Sequence, residues 1–527
     1  MRHVHFIGIG GTAMATLAVM LKRRGVDVQG SDQAIYPPMS DVLAAEGIEP
    51  FNDFRPEQIS GDVDLVIVGN AISRGNVELE AVLDQKMAYA SLPEVVRNQF
   101  LWDSRSFVVA GTHGKTTTAA LVAWLLTHAG RDPSLLMGGV AKNFGASHRL
   151  GRGREFVIEG DEYDSAFFDK TAKFLKYLPD VAVVGNLEFD HADIFDDLDA
   201  IRLEFRRLVR LIPGKGLLIV GADSDEAFAL RDEAHCRVES FGLSSGADWK
   251  AVSITTGETG TNFWIERDDE PFVRITSPLL GDYNVRNVLA ATAMVAAAGV
   301  DAKDIANGVA TFEGVKRRLE SLGEVRGVTL YDDFAHHPTA VAETMAAVRA
   351  AHPGQRIWAI FEPRSATACR RLVEAEVPLI TVNWSRQNRD QWDTHLNHHP
   401  KLRELLPPFD KGVSGLIEDL NSRGLLETTL VVCLGEFGRT PRINKDAGRD
   451  HWPDCYSLLI TGGGIAPGQV YGTSDRFAAY PAERPVAPWD LAATVYHCLG
   501  IDPHQTLTDP VDRPIQIAQG NVVRGLL

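Results

Sequence analysis

Short apolar runs alternate with stretches of helical period along most of the chain. His3-Val4-His5-Phe6-Ile7-Gly8 predicts a strand, Thr12 to Arg24 a helix, and Val26-Asp27-Val28 a second strand closing at Ser31-Asp32. Val63 to Val68 predicts another buried strand, Phe107-Val108-Val109-Ala110 opens a new unit, and Ala119 to His128 predicts a helix. The rhythm returns at Val181 to Val184, Gly216 to Val220, Ile357 to Phe361, Leu379 to Val382 and Leu430 to Leu434. Helices are expected up to about Ala351 and over Asp490 to Ile501. Such runs suit a parallel sheet covered on both faces, so the fold class is α/β. No fixed-period repeat and no low-complexity linker appears, and boundaries are set by motifs near residues 103, 322 and 369.

Composition adds limits. The 527 residues are 45% hydrophobic and 23% charged. That is ordinary for a globular chain of roughly three or four domains of ~150 residues. Disordered, collagen-like and disulfide-scaffold classes are excluded. The net charge of -17, from 53 basic against 70 acidic residues, argues against a nucleic-acid-binding surface spanning the protein. Local basic pockets for phosphates remain compatible with it. The five cysteines, Cys236, Cys369, Cys433, Cys455 and Cys498, are far apart and form no CxxC. They are expected as reduced, buried thiols of a cytoplasmic protein. No apolar run approaches the ~18 residues of a membrane span. Glycines and two histidines interrupt the apolar N-terminus, and Lys22-Arg23-Arg24 stands where a signal peptide would be cleaved. No membrane partner is expected.

Two glycine loops carry the chemistry. Gly8-Ile9-Gly10-Gly11-Thr12-Ala13 lies between the first strand and the first helix and fits GxGxxA. Gly8 permits the turn, Gly10 lets backbone approach a phosphate, and the helix N-terminus adds partial positive charge. Asp32 closes the second strand where dinucleotide folds place a ribose-binding acid. The pattern suits a nucleotide or dinucleotide, NAD included, and also a glycine turn that only packs helix against strand. Gly111-Thr112-His113-Gly114-Lys115-Thr116-Thr117-Thr118 again follows a strand and opens a helix. Its amides suit a phosphate cradle, Lys115 the β- and γ-phosphates, and Thr116 a Mg²⁺ ion. Val109 replaces the first glycine of GxxxxGK[ST], so this is the shorter GTxGKT form.

Acidic segments follow the next strands. Glu159-Gly160-Asp161-Glu162-Tyr163-Asp164 comes after Phe156-Val157-Ile158, and Asn186-Leu187-Glu188-Phe189-Asp190-His191 after Val181 to Val184. Carboxylates at strand C-termini offer hard oxygens for Mg²⁺ beside phosphates. Solvated acidic loops are the plainer alternative.

The segments HFIGIGGTAMATLA, GTHGKTTT, GDYNVRN, FEGVKRRLE and YDDFAHHPTA, in that order, resemble the Mur ligase family. That family joins amino acids or peptides to UDP-sugar acids with ATP. IEGDEYDSAFFDK and NLEFDHADIF are similar to its peptide-adding branch, and the resemblance runs from residue 1 to about 365. It implies a Rossmann-like UDP-sugar domain over 1–103, a central P-loop ATPase domain over 104–322 and the start of a third α/β domain over 323–368. By the same resemblance Gly8, Gly10, Gly11, Thr12 and Asp32 hold the UDP-sugar. Gly111, Thr112, His113, Gly114, Lys115, Thr116 and Thr117 cradle ATP, with Asn284 and Asn287 near the adenine. Arg317, Asp332, His336 and His337 lie around the nucleotide and the domain junction. Lys115, Glu159 and His191 are the implied catalytic groups, and Thr116, Glu159 and His191 the implied Mg²⁺ ligands. The implied reaction joins UDP-N-acetylmuramate to L-Ala-γ-D-Glu-meso-diaminopimelate through an acyl phosphate, in peptidoglycan recycling.

The family pattern stops after Glu362-Pro363-Arg364-Ser365. Ala366 stands where the family has Asn, and no SNGGFGG-type loop follows. From about Cys369 to the end, CRRLVEAEVPLITVNW, WDTHLNHH, LGEFGRTPRINKDAGRDHWPDCYSLLITGGG and DLAATVYHCLGI resemble the C-terminal part of alkaline-phosphatase-like DUF1501 proteins. Asp393, His395, Glu436, Asp450 and His451 form a candidate metal set there, since Asp-x-His and Asp-His are common ligand spacings. Local hydrogen bonding beside Trp392 and Trp452 is the alternative. A metal-dependent phosphatase or sulfatase-like hydrolase, or a non-catalytic nucleotide binder, rivals the ligase.

Overall fold

A four-stranded parallel sheet forms first, in spatial order Asp27–Ser31, His3–Ile7, Leu65–Val68 and Tyr89–Ser91. The computed structural model describes every residue except 38, 60, 190–194, 196, 326, 336, 358–372, 374–379, 381, 383–391 and 509–513. By packing the described chain divides into two compact units, one made of Met1–Ala335 with Glu343–Gln355 and the other of the remaining described residues.

The first unit also holds a ten-stranded mixed sheet. Its parallel centre runs Arg237–Gly242, Leu217–Gly221, Val181–Val184, Arg105–Ala110, Glu155–Glu159 and Ser134–Ala141. Four of these strands, Leu217–Gly221, Val181–Val184, Arg105–Ala110 and Glu155–Glu159, are apolar and buried over nearly their whole length, as strands covered on both faces must be. The helix Lys115–His128 is apolar nearly all round and buried from Thr116 to Leu126 except at Trp124. Leu198–Arg210 is amphipathic instead, burying Ile201, Phe205, Leu208 and Val209, and the Asp197 carboxylate caps it at Ala200 N, 2.9 Å away.

The sheet is not wholly parallel. Trp249–Gly257, Gly260–Arg267 and Glu270–Ser277 extend one edge as an antiparallel meander, and Ala146–Arg149 closes the other edge antiparallel. Alternation of exposed and covered residues along the meander marks a sheet wet on one face. The expected thiols also differ: Cys236, Cys433, Cys455 and Cys498 are free but half-buried, while Cys369 lies outside the described residues.

In the second unit the described strands pair only in two-strand antiparallel ladders. Val431–Cys433 pairs with Leu459–Thr461, and Gly438–Arg439 with His451–Trp452. A helix over His398–Ser422 contains Pro407 and Pro408, and the expected C-terminal helix forms over Pro488–Cys498. The strands expected at Ile357 to Phe361 and Leu379 to Val382 fall almost entirely outside the described residues. Among the described residues no helix is long and apolar enough to cross a membrane.

Candidate functional site

Two glycines shape the second glycine loop. Gly111 has φ +130°, and a Cβ there would lie 3.0 Å from the Asn186 carbonyl oxygen. Gly114 has φ +81°, and a Cβ there would collide with the Asn287 amide oxygen. Only glycine accepts that conformation at that distance. The loop is braced from the segment after strand Val181–Val184. Thr112 N donates to the Asn186 carbonyl at 2.9 Å, His113 N to Asn186 Oδ1 at 2.8 Å, and Glu188 N to Thr112 Oγ1 at 2.9 Å. Gly114 starts the helix Lys115–His128, and Thr118 N is the first amide to bond back to it. The amides of Lys115, Thr116 and Thr117 therefore have no intrahelical acceptor and are oriented for an anion.

Around this cradle the charges are paired. Lys115 Nζ donates to the carbonyls of Gly111 (2.7 Å) and Thr112 (3.1 Å) and to Glu162 Oε1 at 2.9 Å. Burial works against the Lys115 charge, but Glu162, Asp161 and Glu159 outweigh it and hold the pKa above the ordinary lysine value. Thr116 Oγ1 donates to Glu159 Oε1 at 2.8 Å, Gly138 N to Glu159 Oε2 at 2.7 Å, and Arg318 Nη2 reaches Thr116 Oγ1 at 3.3 Å. Asp161 pairs with Lys173 Nζ at 2.6 Å.

Asn287 and Asn284 sit against this loop: Thr118 Oγ1 donates to Asn287 Oδ1 at 3.3 Å, Asn287 Nδ2 to Asn284 Oδ1 at 3.0 Å, and Asn284 Nδ2 to the Leu280 carbonyl at 2.9 Å. Arg317 stays exposed, 3.5 Å from Asp332, with its guanidinium 5.3 Å from the Phe334 ring centre. Its neighbour Arg318 is the residue brought to Thr116. His191 and His336 lie outside the described residues. Sequence reasoning missed Arg318, Glu162 and Asn186 as site residues. Each adjoins or belongs to a segment already singled out, so the segments carried the signal and the individual roles needed coordinates.

In the first glycine loop Gly8 has φ +85°, and Gly8 N and Ile9 N donate to the Ser31 carbonyl at 2.8 and 3.1 Å. Gly10 N donates to Asp32 Oδ2 at 2.9 Å, so this carboxylate binds the loop itself. The helix Thr12–Arg23 begins at Gly11 with no side-chain cap, which leaves the amides of Thr12, Ala13 and Met14 without intrahelical acceptors.

In the second unit Asp393, His395 and His451 converge, with Asp450 beside them. Burial raises the Asp393 carboxyl's pKa, but Arg439 and His451 outweigh it and hold it below the ordinary value. Glu436 is exposed and is not part of the convergence, which corrects the five-residue set expected from sequence.

Known proteins bear on both units. Residues 3–100 match a profile described as Mur ligase family, catalytic domain, and residues 109–295 the Mur ligase middle domain. Residues 324–527 match DUF1501, a family of unknown function. The UDP-N-acetylmuramate–L-alanyl-gamma-D-glutamyl-meso-2,6-diaminoheptandioate ligase of Escherichia coli K12 is 44% identical over 365 residues, covering 69% of this chain and 79% of that protein. The Haemophilus influenzae ligase of the same name is 42% identical over 371 residues, covering 70% and 81%. Both alignments are longer than the stretch ahead of residue 324, so the ligase likeness overlaps the DUF1501 match. Among solved structures, the corresponding ligase from Neisseria meningitides superimposes with TM-score 0.57 at 40% identity, covering 60% of this chain and all of that one. A murein peptide ligase from Psychrobacter arcticus 273-4 gives TM-score 0.60 at 36% identity, covering 69% and 79%.

Proposed function

The chain belongs to the Mur ligase family, and from that premise we propose that it joins UDP-N-acetylmuramate to L-alanyl-γ-D-glutamyl-meso-diaminopimelate using ATP. The observation that carries this reading is the assembly of Lys115, Thr116 and Glu159 at the N-terminus of helix Lys115–His128, in a chain 44% identical to such a ligase. The domain assignment that goes with it gives residues 1–103 the UDP-sugar and 104–322 the ATP.

A carboxylate is too poor an electrophile for an amine. One oxygen of the sugar's lactyl carboxylate attacks the γ-phosphorus, the bond to the β-phosphate bridging oxygen breaks, and ADP leaves. The peptide's neutral amine then attacks the acyl carbon, the carbon–oxygen bond to phosphate breaks, and the amine loses a proton to give the amide. Charge builds on phosphoryl oxygens in the first step and on the acyl oxygen in the second, so fixed positive charge and amide donors lower both barriers. Lys115 and the three free amides at the helix N-terminus supply them, and Arg318 adds a second cation beside Thr116.

The Thr116 hydroxyl and the Glu159 carboxylate place two hard oxygens 2.8 Å apart beside the cradle, a donor set that fits Mg²⁺. Bound there, Mg²⁺ supplies neutralisation of phosphate charge. The first glycine loop and the free amides of Thr12, Ala13 and Met14 suit the diphosphate of UDP. Substrates of this kind place the reaction in the cytoplasm.

The test is phosphate release with ATP, Mg²⁺ and UDP-N-acetylmuramate, comparing the tripeptide, L-alanine and no amine. Release that depends on the tripeptide is the expected result. Release that depends on L-alanine, or none with any amine, overturns the assignment.

A further inference from the structure

We propose that Glu320 is a positioning residue for phosphoryl transfer, fixing the backbone turn that aims Arg318 at the Thr116 hydroxyl. The proposal rests on the reading of the loop before Lys115 and Thr116 as the nucleotide cradle. Arg318 Nη2 reaches Thr116 Oγ1 at 3.3 Å from a linker that ends in the hairpin of Glu320–Val325 and Val328–Asp332. A long side chain on a free linker would spend most of its time in water. Here the linker is tied down on both sides of Arg318.

The flanking peptides are held by carboxylates. Arg317 N donates to Glu320 Oε2 at 2.9 Å, and Leu319 N to Asp333 Oδ2 at 2.5 Å. Phe334 N in turn donates to the Arg317 carbonyl at 2.8 Å. Arg317 and Leu319 have φ of +58° and +47°. Residues with a Cβ seldom adopt that conformation, and it persists only where the surroundings impose it. Between these two reversals Arg318 is carried to Thr116, its guanidinium 5.1 Å from the Phe334 ring centre. Asp333 also accepts from Ala335 N at 2.6 Å, so its loss would reach the next turn as well. Glu320 gives the cleaner test.

Glu320 is itself held from the Glu159 side of the site. Lys142 Nζ lies 3.4 Å from Glu320 Oε1. Lys142 N donates to the Gly314 carbonyl and Lys316 N to the Val140 carbonyl, both at 3.0 Å, and Ala141 bridges Val315. These residues close strand Ser134–Ala141, whose Gly138 N binds Glu159. One strand end thus braces both the Glu159 carboxylate and the linker that presents Arg318. The Arg317 amide outweighs burial and, with Lys142 and Lys316, holds the Glu320 carboxyl's pKa below the ordinary value. An ionised acceptor binds an amide more strongly than a neutral one, so Glu320→Gln loosens the turn while keeping its shape.

A double-mutant cycle on the full chain tests this, read by phosphate release and by calorimetric binding of ATP and of ADP with Mg²⁺. Glu320→Gln should lower kcat about tenfold with KM for UDP-N-acetylmuramate unchanged, against about a hundredfold for Arg318→Ala. The double variant should fall no further than Arg318→Ala, because a residue that acts through Arg318 then has nothing left to position. Each single variant should weaken ATP more than ADP, whereas a residue that only supports the fold would shift both alike. Glu324→Gln, exposed on the same hairpin, should match wild type. Additive losses in the cycle overturn the proposal, as does a Glu320→Gln protein with wild-type kcat and wild-type preference for ATP. If the wild type releases no phosphate with any amine, the ligase reading falls, and the cycle is decided by the affinities for ATP and ADP alone. If Glu320→Gln melts below wild type, Lys142→Met replaces it and is read by the same criteria.

Discussion

Lys115 and Glu162 form a buried ion pair, Nζ to Oε1 2.9 Å, in which the ammonium also donates to two carbonyls of its own loop. The cation proposed to bind phosphate is thus partnered by its own loop and by Glu162, and in that role a nucleotide phosphate would compete with Glu162 for it. On the proposed role, Lys115→Ala removes a charge that would neutralise the transferring phosphoryl group, and ATP turnover should fall about a thousandfold. Glu162→Ala should cost about 3 kcal/mol of stability, because it leaves a buried ammonium without its carboxylate. The double variant should recover part of that loss. Chemical denaturation of the three variants checks this, and additive losses would show that the pair is not coupled.

Gly114 fails as alanine for two reasons. Its φ of +81° is costly for any residue with a Cβ, and that Cβ would meet the Asn287 side chain. Strain of this kind costs about 1–3 kcal/mol before the clash is counted. Gly114→Ala should therefore lower Tm and abolish ATP binding, and adding Asn287→Gly should recover stability in part. Isothermal titration with ATP and thermal melts read the two effects separately. A Gly114→Ala protein with wild-type Tm and ATP affinity would contradict the account.

The adjacent residues Arg317 and Arg318 both lie over the Phe334 ring but differ in their polar partners. Arg318 reaches Thr116 at 3.3 Å, while Arg317 makes an exposed pair with Asp332. Arg318→Ala should lower kcat about a hundredfold through lost stabilisation of phosphoryl charge. Arg317→Ala should stay within a few-fold of wild type, because exposed ion pairs contribute little. Steady-state ATP hydrolysis or ligation measures both, and equal losses would remove the distinction.

The pair also shows what the chain did and did not disclose. GVKRRLE is legible as a segment near the nucleotide, but which arginine turns inward depends on the backbone between residues 316 and 319. Arg317 and Leu319 both adopt positive φ there, which no residue type announced. Four strands of the parallel centre were legible because their apolar runs must be buried on both faces, while Ser134–Ala141 and Arg237–Gly242, with their glycines and charged residues, were not. The meander from Trp249 to Ser277 was not, since its alternating Thr, Lys and Glu resemble loop sequence until a neighbouring strand pairs with it. In the C-terminal stretch Asp393, His395 and His451 were legible as ligand types. Glu436 joined them only because it follows the apolar run Leu430 to Leu434, and it stays exposed, because following an apolar strand does not determine where a side chain points.

Acid should weaken the first unit through Asp223. Its carboxylate accepts from Leu243 N at 2.9 Å and Ser244 N at 3.0 Å and pairs with Arg286 Nε at 2.9 Å. Burial raises its pKa, but the Leu243 amide and Arg286 outweigh that and hold it below the ordinary aspartate value. A group depressed in this way stabilises the fold at any pH above its unfolded pKa of about 3.9, and that stabilisation is lost as pH falls through the lower folded value. Thermal melts of wild type between pH 6 and pH 3 should therefore show a steep loss at the acid end. Asp223→Asn lacks the ionised partner throughout, so it should melt lower at pH 6 and lose less Tm on acidification. Parallel Tm curves for the two proteins would show that Asp223 makes no contribution to the acid limb.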